Sequence, residues 1–174
     1  MPLVLVTLGL LSIPACLNDR ASSTQKMGGH TFSSNLRLDV FIIREAGGEW
    51  EGIGETPSAR PLDIPRCASW GVRPIGRIDM KALARQIAAK KIPHLRIEYG
   101  AVDGDLAHLK GLTELRGLYL GHTQITDAGL AHLKGLTGLR ELGLWGTQIT
   151  DAGLAHLKGL TGLRKLNLVR TKIT

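Results

Sequence analysis

The chain has 174 residues, a formal charge of +7, 43% apolar residues and only 4% aromatic ones. That length favours one compact domain with a flanking segment, and any core must be aliphatic. The basic excess is spread along the chain without a Lys/Arg run, which argues against a nucleic-acid partner, and Cys16 and Cys67 make neither a disulfide framework nor a zinc site.

Residues 2–15 are apolar and precede Cys16. The run is shorter than the roughly 20 residues of a spanning helix and has the character of the apolar part of an export signal. Ile13-Pro14-Ala15-Cys16 resembles a bacterial lipobox, which implies lipidation at Cys16. Residues 1–16 are therefore expected to be a signal or lipoprotein-like segment, giving an exported or envelope-associated protein with membrane association through the N-terminus. The alternative is a buried strand or short helix, in which case the protein is cytoplasmic. Residues 17–35 read as a polar, poorly ordered linker.

Within 36–78, residues 36–43 begin with alternation and end in an apolar run, so they predict a strand. Ala46 to Glu49 is a turn signal, and Trp50 to Ile53 predicts the return strand of a hairpin leaning on the following domain. Pro57, Pro61, Pro65 and Pro74 then predict an irregular surface stretch. The carboxylates here (Glu45, Glu49, Glu51, Glu55, Asp63) read as a solvated face.

Asp79 predicts the N-cap of a helix over Met80 to Lys91, with Met80, Leu83, Ala84 and Ile87 on its buried face. Pro93 stops it, and His94 to Ile97 predicts a short strand. Residues 79–102 are expected to be an N-terminal cap of the kind a solenoid needs.

Three tandem 24-residue units follow: 103–126, 127–150 and 151–174. The second and third share 19 of 24 residues, and the first and second share 17. Leu139-Arg140-Glu141-Leu142-Gly143-Leu144-Trp145-Gly146-Thr147-Gln148-Ile149 fits L-x-x-L-x-L-x-x-T-x-I. The array resembles the leucine-rich repeat family, in a bacterial form related to the cysteine-containing subclass of F-box substrate receptors. Thr123, Thr147 and Thr171 stand where that family carries Asn or Cys. The resemblance implies an α/β leucine-rich repeat solenoid: right-handed strand–helix coils with a parallel sheet on the concave face. Burying one unit's leucines does not offset the entropy of ordering 24 residues, so the units must stack. Thr126 or Asp127 is expected to cap each short helix, which accounts for the Asp103, Asp127 and Asp151 stripe without calcium. His108, His132 and His156 read as duplicated surface chemistry rather than a metal stripe. The array ends on a unit, with no polar cap after it, so end-to-end self-association is a further expectation.

The second and third units differ at five positions, all in or just after the strand and none a leucine. In that family's geometry the variable strand positions face outward on the concave surface, and strand alternation separates them from the leucines in the same way. The expected patch is Gly117, Tyr119 and Gly121; Glu141, Gly143 and Trp145; Lys165, Asn167 and Val169, with His122 and Arg170 at its rim. Tyr, Trp and Arg are common interface anchors. No phosphate-binding loop, nucleophile elbow or metalloprotease motif occurs. The expectation is a non-enzymatic protein-binding module with no cofactor and no metal. The alternatives are an F-box-like recognition adaptor of a ubiquitin ligase, or a fragment of a larger repeat-containing enzyme or receptor.

Overall fold

A computed structural model describes residues 30–43, 50–58, 60–65, 69–77 and 79–174. The signal-like segment with Cys16, most of the 17–35 linker, the 46–49 turn and Cys67 lie outside the described residues. Among the described residues no helix is long and apolar enough to cross a membrane.

The three units coil as the repeat pattern requires. Each contributes one three-residue strand, β7 (Gly117–Tyr119), β8 (Glu141–Gly143) or β9 (Lys165–Asn167), paired parallel in register. Each also contributes one four-residue helix: α2 (Asp103–Leu106), α3 (Asp127–Leu130) or α4 (Asp151–Leu154). The ladder runs on past the strands, with Leu120 N donating to Gly143 O and His122 N to Trp145 O, and the same bonds recur one unit later. The repeat strands are accordingly parallel, and the coil is leucine-rich-repeat-like. Leu130, Leu133, Leu136, Leu139, Leu142, Leu144 and Ile149 are all buried. The third unit is more open, and Leu166 on the last strand of the sheet is 41% exposed.

Two polar ladders recur along the array. Thr123 and Thr147 are buried, and each Oγ1 donates to the carbonyl three residues back, Leu120 O at 2.7 Å and Leu144 O at 2.6 Å. Thr171 repeats the bond to Leu168 O. The second ladder alters the expected capping. Thr126 and Thr150 are the N-caps, accepting from Ala128 N and Ala152 N. The aspartates instead reach from the start of their unit to the threonine at its end, which in the first two units is the N-cap of the following helix. Asp103 accepts from Thr126 N (2.7 Å) and Thr126 Oγ1 (2.6 Å), and Asp127 accepts from Thr150 N (2.9 Å) and Thr150 Oγ1 (2.6 Å). Asp151 does the same to Thr174. The Thr150 bonds hold the Asp127 carboxyl below the usual carboxylate range. Gly129 and Gly153 follow from this clamp: a Cβ there would stand 2.4 and 2.2 Å from the Asp103 and Asp127 carboxylate oxygens.

Helix α1 (Met80–Lys90) is capped by Asp79, whose Oδ1 accepts from Ala82 N, and it buries Met80, Leu83, Ala84 and Ile87. It ends one residue before the expected Lys91, which adopts a left-handed C-cap conformation. Strand β6 (His94–Arg96) then pairs with β7.

Upstream of the helix, the sequence expectation needs correcting. The Pro-rich stretch is not irregular, because it carries β4 (Leu62–Ile64) and β5 (Ser69–Pro74). Residues 30–32, placed in the linker, form β1 and pair antiparallel with β4. The hairpin of β2 (Leu38–Ile43) and β3 (Trp50–Thr56) does not merely lean on the repeats. β2 pairs with β5, and β5 pairs in parallel with β6, so one sheet runs β3-β2-β5-β6-β7-β8-β9. The prolines punctuate rather than disrupt: Pro57 follows β3, Pro61 and Pro65 flank β4, and Pro74 is the last residue of β5. Phe32 and Ile64 of the small sheet join the same core, with the Phe32 ring 5.2 Å from that of Trp70.

Candidate functional site

Alternation along the strands sorts each residue. Leu95, Leu118 and Leu142 point into the core, while His94 and Arg96, Gly117 and Tyr119, Glu141 and Gly143, and Lys165 and Asn167 share the opposite, concave face. The register continues upstream, so Phe41 and Gly71 lie in the same row as His94.

Glycines let aromatic rings lie flat on this face. A Cβ at Gly71 would come 2.5 Å from Phe41 Cζ, and one at Gly117 would come 2.2 Å from His94 Nδ1. A Cβ at Gly121 would fall 1.9 Å from Trp145 Cε2, and one at Gly143 would fall 2.5 Å from Trp145 Cζ3. The Trp145 indole therefore rests in a slot made by two glycines, one on its own unit and one on the unit before. Trp50, from the end of β3, folds over Phe41 (centroids 4.0 Å apart) and meets the Tyr119 ring edge-on at 4.6 Å. The Arg96 guanidinium stacks on Trp50 at 5.2 Å.

Between these rings lies a pocket of about 390 Å³. Trp50, Tyr119 and Trp145 form its walls, with Leu142, Gly143 and Leu166 also in the lining, and Arg96, Glu141, Lys165 and Asn167 supply its polar groups. Glu141 sits at the centre of a short network. Tyr119 OH donates to its Oε2 (2.5 Å) and Lys165 Nζ to its Oε1 (3.0 Å). Burial alone would raise the Glu141 pKa, but the Tyr119 and Lys165 hydrogen bonds outweigh it and hold the group below the usual range. Burial and the same carboxylate push the Tyr119 hydroxyl well above its ordinary value, so it stays a donor. On the upstream side, Arg96 is held by Glu98, and Arg73 bridges Glu98 and Asp39 (2.6 Å to Asp39).

His94 is buried beside this pocket. Its Nε2 lies 2.7 Å from Ser69 Oγ, and its Nδ1 has no partner among the described residues. Desolvation lowers its pKa. A serine–imidazole bond is the core of many nucleophilic sites, which also orient the second ring nitrogen; among the described residues that atom has no partner.

Of the residues singled out from sequence, Tyr119, Glu141, Gly143, Trp145, Lys165 and Asn167 line the pocket. His122 stands at the rim with positive φ, its ring stacked on Tyr99 at 5.9 Å and edge-on to Trp145 at 6.3 Å. Val169 and Arg170 are exposed and lie outside the lining. Trp50, Arg96 and Tyr99 were not singled out. Arg96 was detectable, since Leu95-Arg96-Ile97 aligns with Leu118-Tyr119-Leu120. Trp50 was not, because only the hairpin pairing brings it there. Among the described residues no group of three or more His, Cys, Asp or Glu is placed to hold a metal ion.

No family model and no curated protein matches the chain. Among solved structures, it is similar to an internalin from Listeria monocytogenes, with 23% identity and a TM-score of 0.36 over 57% of this chain. The chain spans only 34% of that protein's length.

Proposed function

We propose that this chain is a non-enzymatic protein-binding module that grips its partner on the concave face, over the Trp50–Tyr119–Trp145 pocket. The observation that carries the reading is the coincidence of two patterns on one surface. Three of the five positions at which the second and third units differ, Glu141/Lys165, Gly143/Asn167 and Trp145/Val169, alternate onto that face, and the same surface holds three aromatic walls around an open cavity. Half-exposed Trp and Tyr beside cations are the usual composition of binding hot spots. Export belongs to the same reading: the apolar run before Cys16 fits an envelope-associated protein, and labelling with radioactive palmitate tests the lipidated form.

Trp145→Val tests the site. Valine already occupies the equivalent place in the third unit, at Val169, so the substitution removes the wall without asking the coil for anything new. Capture of partner proteins by the immobilised full chain, read by mass spectrometry, is expected to lose a defined set of proteins in the variant while the circular-dichroism melt stays two-state. Equal capture by both chains refutes the concave site.

A further inference from the structure

The hydrogen-bonding capacity of the pocket is unbalanced. Both oxygens of Glu141 are committed, one to Tyr119 and one to Lys165. The Asn167 side-chain oxygen is also committed, accepting from Val169 N at 3.1 Å. Donors remain. The Lys165 ammonium has three and gives one to Glu141, the Asn167 amide keeps its NH2, and the Trp145 indole N–H makes no hydrogen bond among the described residues. Both cations of the lining are paired, Arg96 with Glu98 and Lys165 with Glu141, yet Lys165 keeps two further N–H donors. Unused N–H donors are therefore what this cavity offers a ligand, beside aromatic walls. Its volume is near the lower end of the roughly 300–1,000 Å³ typical of pockets, which suits a short stretch of extended chain. A nucleic-acid strand would need a row of free cations along its backbone. Here Arg96 is held by Glu98 and Lys165 by Glu141, so no such row lines the pocket.

Building on the partner-binding reading of this face, we propose that the pocket receives an acidic–apolar peptide segment of the partner. A Glu or Asp side chain of the peptide sits on the Lys165 ammonium and the Asn167 amide, and an adjacent apolar side chain packs against Trp145 and Trp50. The net charge of +7 steers such a segment toward the chain.

The test uses the full chain and end-capped, fluorescein-labelled peptides in which leucine alternates with glutamate, glutamine or lysine, together with a labelled thymidine oligonucleotide. Anisotropy titrations at low salt are expected to show the glutamate peptide binding about tenfold tighter than the glutamine one, the margin of a single charge-assisted contact. Lys165→Gln is expected to erase that margin, Lys165→Glu to reverse it toward the lysine peptide, and Trp145→Val to weaken all peptides alike. Equal binding of glutamate and glutamine peptides, both weakened by Trp145→Val, overturns the acidic preference and leaves the concave site standing. Peptide binding indifferent to Trp145→Val, or tighter binding of the oligonucleotide, overturns the site and the preference together. No binding by any peptide, with partner capture still lost in Trp145→Val, overturns the peptide inference alone.

Discussion

The clamp between successive helices makes a prediction whose sign depends on one carboxylate. Gly153 lies in α4, where alanine is normally the better helix former by about 1 kcal/mol. In this protein a Cβ at that position would stand 2.2 Å from Asp127 Oδ1, so the carboxylate must leave. It would give up its bonds from Thr150 N and Thr150 Oγ1. Hydrogen bonds to a charged group contribute roughly 1.5–3 kcal/mol each, but this carboxylate is half-exposed and water replaces part of the loss. About 2 kcal/mol for the pair is the working figure. Gly153→Ala should then destabilise the wild-type protein by about 1 kcal/mol, the clamp loss less the helix gain. Asp127→Ala alone should cost about 2 kcal/mol. With Asp127 already removed, the nearest remaining neighbour of the new methyl is Ile149 Cγ2 at 3.2 Å, and Gly153→Ala should range from neutral to about 1 kcal/mol stabilising. Gly104→Ala, which meets nothing within 4 Å, is the control and should not destabilise. Thermal melts of the four chains followed by circular dichroism give the cycle, at roughly 2–4 °C per kcal/mol for a chain this long. Equal effects of Gly153→Ala in both backgrounds would refute the clamp.

Two further outcomes follow from the concave face. His94 has a folded pKa lowered from 6.5 by burial, so the unfolded chain binds its proton first as pH falls. Its contribution to stability is complete above pH 6.5 and declines below it, through the lowered folded value. Urea midpoints across this range should drop toward acid, and His94→Phe should flatten that part of the profile; an unchanged slope in the variant would contradict the assignment. Gly121→Ala would place a Cβ 1.9 Å from Trp145 Cε2. It should expel the indole, red-shift its emission and cost about 1–3 kcal/mol, whereas an unshifted spectrum would mean the ring does not lie in that slot.

The repeats were legible because their signal is covalent and periodic. Leucines recurring at fixed offsets over three units leave one stacking solution, and alternation along each strand assigns Tyr119, Glu141, Trp145, Lys165 and Asn167 to the outer face without tertiary information. What stayed hidden depends on contacts between distant residues. Trp50 reaches Tyr119 only because β2 pairs with β5 and β5 with β6, and no local pattern encodes that order of strands. The prolines misled because a proline that ends a strand and one that prevents it look alike in sequence. The aspartates misled for a different reason. An Asp at a helix start satisfies the pattern for a cap, and only the position of Thr150, 23 residues on, reveals that its side chain reaches across to the cap of the next helix.

The slot beneath Trp145 bears on how the chain assembles in the right order. The second and third units are identical at 19 of 24 positions, so their leucine faces are almost interchangeable, and a coil borrowed from another copy of the chain would fit the core nearly as well as its own. Such near-degeneracy invites strand exchange between molecules in repeat arrays. The indole breaks it. Trp145 needs Gly121 on the preceding coil and Gly143 on its own, and the third unit carries Val169 and Asn167 where the second has Trp145 and Gly143. A third unit docked directly against the first would leave the Gly121 slot unfilled by any aromatic ring. Trp145 thus marks, from the outside of the array, a coil whose interior is nearly identical to the next.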